Sequence, residues 1–149
     1  EPPHLFVGTT KNGDKMFSIL SPQSIQILEH LASQRTRHPA VFPSPRTEGK
    51  SIKDIRHHWK TFREEAGLGG NFDLHDMRHC CGTWLGRLGK TELVIARVLN
   101  HTVKSVTEQY SLIPNETKEE AIKELADWLQ EQVGPPILKD ISDGTLAHH

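Results

Sequence analysis

Cysteine, tyrosine and long apolar runs are scarce in this chain, and its charges nearly cancel. The only two cysteines are neighbours, Cys80 and Cys81. Adjacent residues on a helix point in different directions, so no disulfide between them is expected. Two buried free thiols in a reducing cytosol are the simpler reading. No apolar run approaches the roughly 20 residues that a membrane-spanning helix needs, and no charged stretch leads into an apolar one as a secretory signal does. With 35% hydrophobic and 25% charged residues, the 149-residue chain reads as one soluble globular domain with a real core. The net charge is −1, whereas nucleic-acid-binding domains usually carry a basic surplus. That sum hides a division. Lys50, Lys53, Arg56, Lys60 and Arg63, with His57 and His58 among them, form a basic segment, and Glu116, Glu119, Glu120, Glu124, Asp127 and Glu131 form an acidic one. A basic face and an acidic tail cancel in the total, so composition neither favours nor excludes DNA as a partner.

Local signals along the chain predict a mainly helical fold with a small antiparallel β-hairpin at its N-terminal edge. Two short apolar runs flank Asn12-Gly13, a strong hairpin signal, with Lys11 and Lys15 bracketing the turn. A lone hairpin is marginal in water, so a further strand is expected upstream. Ser21-Pro22 is a helix start, followed by Ile25, Leu28, Leu31 and Ala32 at helical spacing. Residues 35–45 read as a loop with Val41-Phe42 as a buried anchor. Ser51 with Asp54 resembles a capping box, and Ile52, Ile55, Trp59, Phe62 and Ala66 are expected to line the core face of the next helix, which Gly67, Gly69 and Gly70 end. Trp84, Leu85 and Leu88 are the packing residues of the helix after that, and Gly89 stops it. Thr91 caps a helix carrying Leu93, Ile95, Ala96 and Leu99, and a further helix is expected over roughly Val103 to Leu112. Pro114 breaks the pattern. Thr117 with Glu120 reads as another capping box, and Ile122, Leu125, Leu129 and Val133 form an apolar stripe with Trp128 beside it. The stripe reads as core packing, with assembly contact as the alternative. No internal repeat and no second domain is read.

The stretch from Leu74 to Tyr110, LHDMRHCCGTWLGRLGKTELVIARVLNHTVKSVTEQY, organises the rest. His75 and Arg78 are three residues apart, so on a helix they share a face. His101 follows a second helical pattern. Tyr110, the only tyrosine of the chain, lies on a third. Arginine offers a planar fork that matches two phosphate oxygens, and histidine exchanges protons near neutral pH. A tyrosine hydroxyl titrates near 10, so it needs a base or nearby cations to act as a nucleophile. The stretch supplies both around a site suited to a phosphate.

On these residues the chain is identified as a member of the tyrosine recombinases, or phage integrases. LHDMRH resembles that family's His-x-x-Arg box, and VLNHTVKSVTEQY resembles its Leu-Gly-His box followed by the nucleophilic tyrosine. Order and gaps match as well as letters. Asn100 stands where most members have glycine. The resemblance implies that Tyr110 attacks a DNA phosphate, that Arg78 holds two of its non-bridging oxygens, and that His75 takes the tyrosine proton or stabilises the same oxygens. It further implies that His101 donates a hydrogen bond to the phosphate and that Lys11, just before the hairpin turn, protonates the leaving 5′-hydroxyl; Lys15 fits less well. Double-stranded DNA is the implied partner, engaged by a homotetramer, with no membrane and no cofactor, in a bacterial or phage-encoded protein of the cytoplasm and nucleoid.

The family also has a catalytic arginine upstream of the hairpin. Arg35, Arg37 and Arg46 all follow the hairpin, so none matches. Residues 1–134 therefore read as a partial catalytic domain in a truncated tyrosine-recombinase fold. The upstream arginine segment and the DNA-clamping helical domain are not expected within it. Residues 135–149 read as a tail ending in a tag remnant, His148-His149. Such a fragment is expected to be nearly inactive alone.

Blander readings stand beside this one. A lone histidine is more often a cap or core residue, and a lone arginine a surface ion-pair partner. The basic segment is either a solvated face or a contact to the DNA backbone, with Lys53, Arg56 and Lys60 as the candidates. His75 and His79 have the i, i+4 spacing of metal ligands, but Arg78 between them repels a metal and no Cys-x-x-Cys pair is present, so no metal site is read. The alternative function is a DNA-binding or assembly module without catalysis, since short helices joined by tight turns also suit helix-turn-helix readers.

Overall fold

A computed structural model of the protein describes residues 3–8, 16–34, 40–44, 47–101 and 113–135. Among these residues the fold is mainly helical, with one two-stranded antiparallel sheet and five helices. The chain divides into two compact units. The described residues of the first lie within Glu1–Ile27 and Cys80–Ile137, and those of the second within Leu28–His79.

In the first unit, β1 (His4–Val7) pairs with β2 (Met16–Ile19), Phe6 standing opposite Phe17 and His4 opposite Ile19. The Phe6 and Phe17 rings lie 5.0 Å apart, and His4 meets the edge of Phe17 at 5.1 Å. The hairpin turn at Asn12-Gly13 lies outside the described residues. Helix α1 (Pro22–Ser33) begins as expected: the Ser21 hydroxyl accepts the Ser24 N–H at 3.1 Å, satisfying a donor that the helix leaves open.

The core of this unit is built by α3 (Leu74–Arg87), α4 (Glu92–Val98) and α5 (Asn115–Val133). Leu85 of α3 is fully buried against Val94, Ala121 and Leu125, with Cys81, Trp84, Leu88, Ile95, Val98, Ile113 and Trp128 around them. Burying one leucine of this kind stabilises by about 1.5–3 kcal/mol. Gly82 of α3 packs against side chains at the end of α4. A Cβ there would lie 3.2 Å from Leu99 Cδ1 and 3.6 Å from Ile95 Cγ2. Trp84 and Trp128 pack with their rings tilted by 34° and their centroids 4.4 Å apart, and the Arg87 guanidinium lies 4.4 Å over the Trp84 ring. Polar ties close the rim. Lys90 Nζ donates to Glu124 Oε2, and Gln23 of α1 donates to Asp127 Oδ1 at 3.3 Å and Gln130 Oε1 at 2.8 Å. Hydrogen bonds from Lys123 and Gln23 hold the Asp127 carboxyl below its usual range.

Three helix ends share one geometry. The N–H of Leu68 reaches the Arg63 carbonyl, that of Lys90 the Leu85 carbonyl, and that of His101 the Ala96 carbonyl, at 3.0, 3.0 and 2.8 Å. Each is the Schellman closure, which needs a left-handed residue one position earlier. Those residues are Gly67 (φ 65°), Gly89 (φ 76°) and Asn100 (φ 51°).

Several expectations are corrected. Val41 and Phe42 are not a buried anchor, being 46% and 57% exposed. They precede an isolated antiparallel bridge between Pro43 and Ser51, which occupies the serine expected to cap a helix. Helix α2 (Arg56–Glu65) begins after Ile55 with no side-chain cap, and Ile55 and Phe62 are half exposed. Helix α5 starts directly after Pro114, so Thr117 lies inside it rather than at its cap. Its inward face is Ala121, Leu125 and Trp128, while Leu129 is 40% and Val133 81% exposed. Cys80 and Cys81 are half-buried rather than fully buried.

Candidate active site

The second unit carries the His-x-x-Arg pair. His75 and Arg78 lie in the first turns of α3 and share its face, His75 exposed and Arg78 half-buried. The His75 ring meets His79 edge-on at 4.8 Å. The start of this helix is locked by two aspartates. Asp73 Oδ1 accepts the N–H groups of His75 at 2.6 Å and Asp76 at 3.1 Å, and Asp76 Oδ2 accepts the Asp73 N–H at 2.7 Å. This reciprocal arrangement is a capping box with aspartate at both positions, and the carboxylates also suit the positive end of the helix.

Helix α2 supports the same point. The Phe72 carbonyl accepts Trp59 Nε1–H at 3.3 Å and Arg63 Nη1–H at 3.2 Å. The Trp59 ring stacks on Phe62 at 5.4 Å and lies 6.0 Å from Phe72. Sequence reasoning missed Asp73, Asp76 and the Trp59–Arg63 pair. The Asp-x-x-Asp spacing ahead of α3 was the available signal for the box. The hydrogen bonds from α2, 9 and 13 residues away in sequence, had none.

His101 stands in the first unit, exposed, immediately after α4. Thr91 caps that helix by accepting the Val94 N–H at 3.4 Å, as its sequence predicts. Tyr110 and Lys11, the expected nucleophile and acid, lie outside the described residues, as does Lys15. Among the described residues, no group of three or more His, Cys, Asp or Glu side chains is placed to hold a metal ion, and no helix is long and apolar enough to cross a membrane.

The three candidate DNA contacts lie at the start of α2. Lys53 is exposed in the segment before it. Arg56 is its first residue and Lys60 lies one turn on. Arg56 is engaged by Asp54: Nε and Nη2 reach the carboxylate at 2.9 and 2.6 Å, and the Arg56 N–H donates to Oδ1 at 2.9 Å. These hydrogen bonds lower the Asp54 carboxyl to about 2 and raise the guanidinium above its ordinary value. Lys60 Nζ lies 3.9 Å from Glu64, with both side chains largely exposed, a pair worth little in water.

Compared with known proteins, residues 3–116 match the model of the Phage integrase family, more than half of the chain. The matched range spans Lys11, His75, Arg78, His101 and Tyr110. No curated protein and no solved structure matches the chain.

Proposed function

The chain belongs to the phage integrase family, and on that premise we propose that it cuts and rejoins duplex DNA at specific sites through a 3′-phosphotyrosyl link. The observation that carries this reading is the placing of His75 and Arg78 on one face at the start of α3, within a matched region that also holds His101 and Tyr110.

Tyr110 is the nucleophile. Its hydroxyl oxygen attacks the scissile phosphorus, and the bond from phosphorus to the 5′-oxygen breaks. The hydroxyl proton passes to His75, and Lys11 supplies a proton to the departing 5′-oxygen. The Arg78 fork takes two non-bridging oxygens, and His101 donates to the same phosphate. Both offset charge that builds in the transition state. The 5′-hydroxyl of the partner strand then attacks the phosphotyrosyl link, which joins the strands and frees Tyr110. One phosphoester replaces another at each step, so the reaction consumes no external energy source. Lys53, Arg56 and Lys60 seat the duplex by contacts to its phosphates. Four copies assemble on the DNA, in the cytoplasm at the nucleoid.

The family resemblance calls for a further arginine upstream of the hairpin, and the first arginine of this chain is Arg35, after β2. Losing one such donor costs about 10²–10³ in rate, so a chain without that arginine cleaves slowly. The test uses a nicked suicide duplex and a longer chain that carries the upstream arginine. A covalent protein–DNA adduct resolved on a denaturing gel is expected, absent in Tyr110→Phe. An adduct that persists in Tyr110→Phe removes Tyr110 as nucleophile. Duplex binding with no adduct in any variant leaves the non-catalytic DNA-binding module as the function.

A further inference from the structure

Whether His75 shares a face with Arg78 depends on the first turn of α3 being formed. A helix turns by about 100° per residue, so a first turn that unwinds takes His75 off that shared face. The Asp73–Asp76 box fixes the first turn from within. The Phe72 carbonyl fixes it from outside. That oxygen has two lone pairs, and both are taken by donors from α2, Trp59 Nε1 at 3.3 Å and Arg63 Nη1 at 3.2 Å.

General stabilisation does not explain Arg63. Its Nε is buried without a hydrogen-bond partner among the described residues, and a buried unpaired donor costs stability. A cation beside the N-terminal end of a helix is also unfavourable to that helix. What the guanidinium does accomplish is its bond to Phe72, three residues before His75. Trp59 makes the second bond to the same oxygen and packs against Phe62 and Phe72.

We propose that Trp59 and Arg63 are positioning residues: their paired hydrogen bonds to the Phe72 carbonyl fix the first turn of α3 and thereby hold His75 beside Arg78. The catalytic consequence rests on the recombinase reading above, whereas the effect on the helix start does not.

Four variants test it: Trp59→Phe, which keeps a ring and removes the donor; Arg63→Met, which keeps chain length and removes the guanidinium; the two combined; and Arg63→Lys, which retains a cationic N–H donor. Amide hydrogen exchange is followed at His75 and Asp76, whose N–H groups bond to Asp73, and at Ile95 and Leu99 in α4 as controls. In the combined variant, exchange at His75 and Asp76 rises by about tenfold or more while the α4 amides hold, and Arg63→Lys restores much of the loss seen in Arg63→Met. In the longer chain the single-turnover rate of adduct formation falls by about tenfold, with the Kd for duplex DNA changed by less than about threefold. Unchanged exchange at His75 and Asp76 overturns the proposal. So does a rise that includes α4 equally, since that is general loosening. If exchange responds as described but the adduct survives in Tyr110→Phe, positioning stands and the recombinase reading fails. If the adduct depends on Tyr110 while exchange is indifferent to Trp59 and Arg63, the reverse holds.

Discussion

His101 donates its backbone N–H to the Ala96 carbonyl, 2.8 Å away, and this bond both ends α4 and sets where the histidine emerges. The closure needs a left-handed residue between them, and Asn100 fills that place at φ 51°. Glycine and asparagine adopt this conformation readily; other residues pay about 1–2 kcal/mol. The Asn100 that replaces the family's usual glycine therefore meets the same backbone demand.

It follows that Asn100→Gly leaves stability within about 0.5 kcal/mol of the parent, while Asn100→Val loses about 1–2 kcal/mol. Urea denaturation measures both. Equal stability of the valine and glycine variants would show that α4 does not end in this way. In an adduct-forming longer chain, the valine variant also slows cleavage, because His101 is displaced along with the turn.

Gly82 yields a second prediction from close packing. A Cβ at this position meets Leu99 Cδ1 at 3.2 Å, so the leucine tip must give by a few tenths of an ångström. Alanine gains up to about 1 kcal/mol of helix propensity in exchange. The two effects nearly cancel, and Gly82→Ala is expected within about 1 kcal/mol of the parent. Gly82→Leu has no such escape and loses about 1–3 kcal/mol by overpacking α3 against α4. Thermal melting of the two variants separates the cases.

The same helices show what can be read from one sequence. Signals that depend on a single residue's backbone or a single local bond were legible. Ser21, Thr91, Gly67 and Gly89 all cap or close helices where expected. So was the His75–Arg78 spacing, because three residues on a helix define a face. Paired-residue patterns were weaker. Ser51 with Asp54 and Thr117 with Glu120 both have capping-box spacing, yet one serine lies in a β-bridge and the threonine lies within a helix that Pro114 starts earlier. Large apolar residues also misled at α5. Small Ala121, 1% exposed, sits at its core, and Val133 is 81% exposed, because helix placement follows the partners α3 and α4 rather than residue size. The support of α3 by Trp59 and Arg63 was invisible, since nothing local couples 59 or 63 to 72.

Leu85 tests the core directly. It is fully buried, and its neighbours Val94, Ala121 and Leu125 come from two other helices. Leu85→Ala removes apolar contact and leaves a cavity, at a cost of about 2–5 kcal/mol. Denaturant titration should show the midpoint falling without a change in slope. A loss below about 1 kcal/mol would mean that α3, α4 and α5 do not share this core.

The Asp54–Arg56 pair ties acid titration to the proposed DNA contact. Hydrogen bonds from Arg56 depress the Asp54 carboxyl from 3.8 to about 2, so the pair is fully formed above about 3.8 and is lost as pH falls through about 2. A carboxyl NMR titration should give that midpoint, and Arg56→Ala should return it toward 3.8. The pair also occupies the cation that a phosphate would need. Duplex DNA must displace Asp54 to engage Arg56, whereas among the described residues no carboxylate is paired with Lys53 in its exposed segment. Asp54→Asn is therefore expected to tighten duplex binding and to steepen the fall of log K with log salt by up to about 0.9, the contribution of one further phosphate contact. Lys53→Ala should flatten the same slope by a similar amount. If Asp54→Asn leaves both affinity and slope unchanged, Arg56 does not contact DNA and the basic start of α2 is a solvated face.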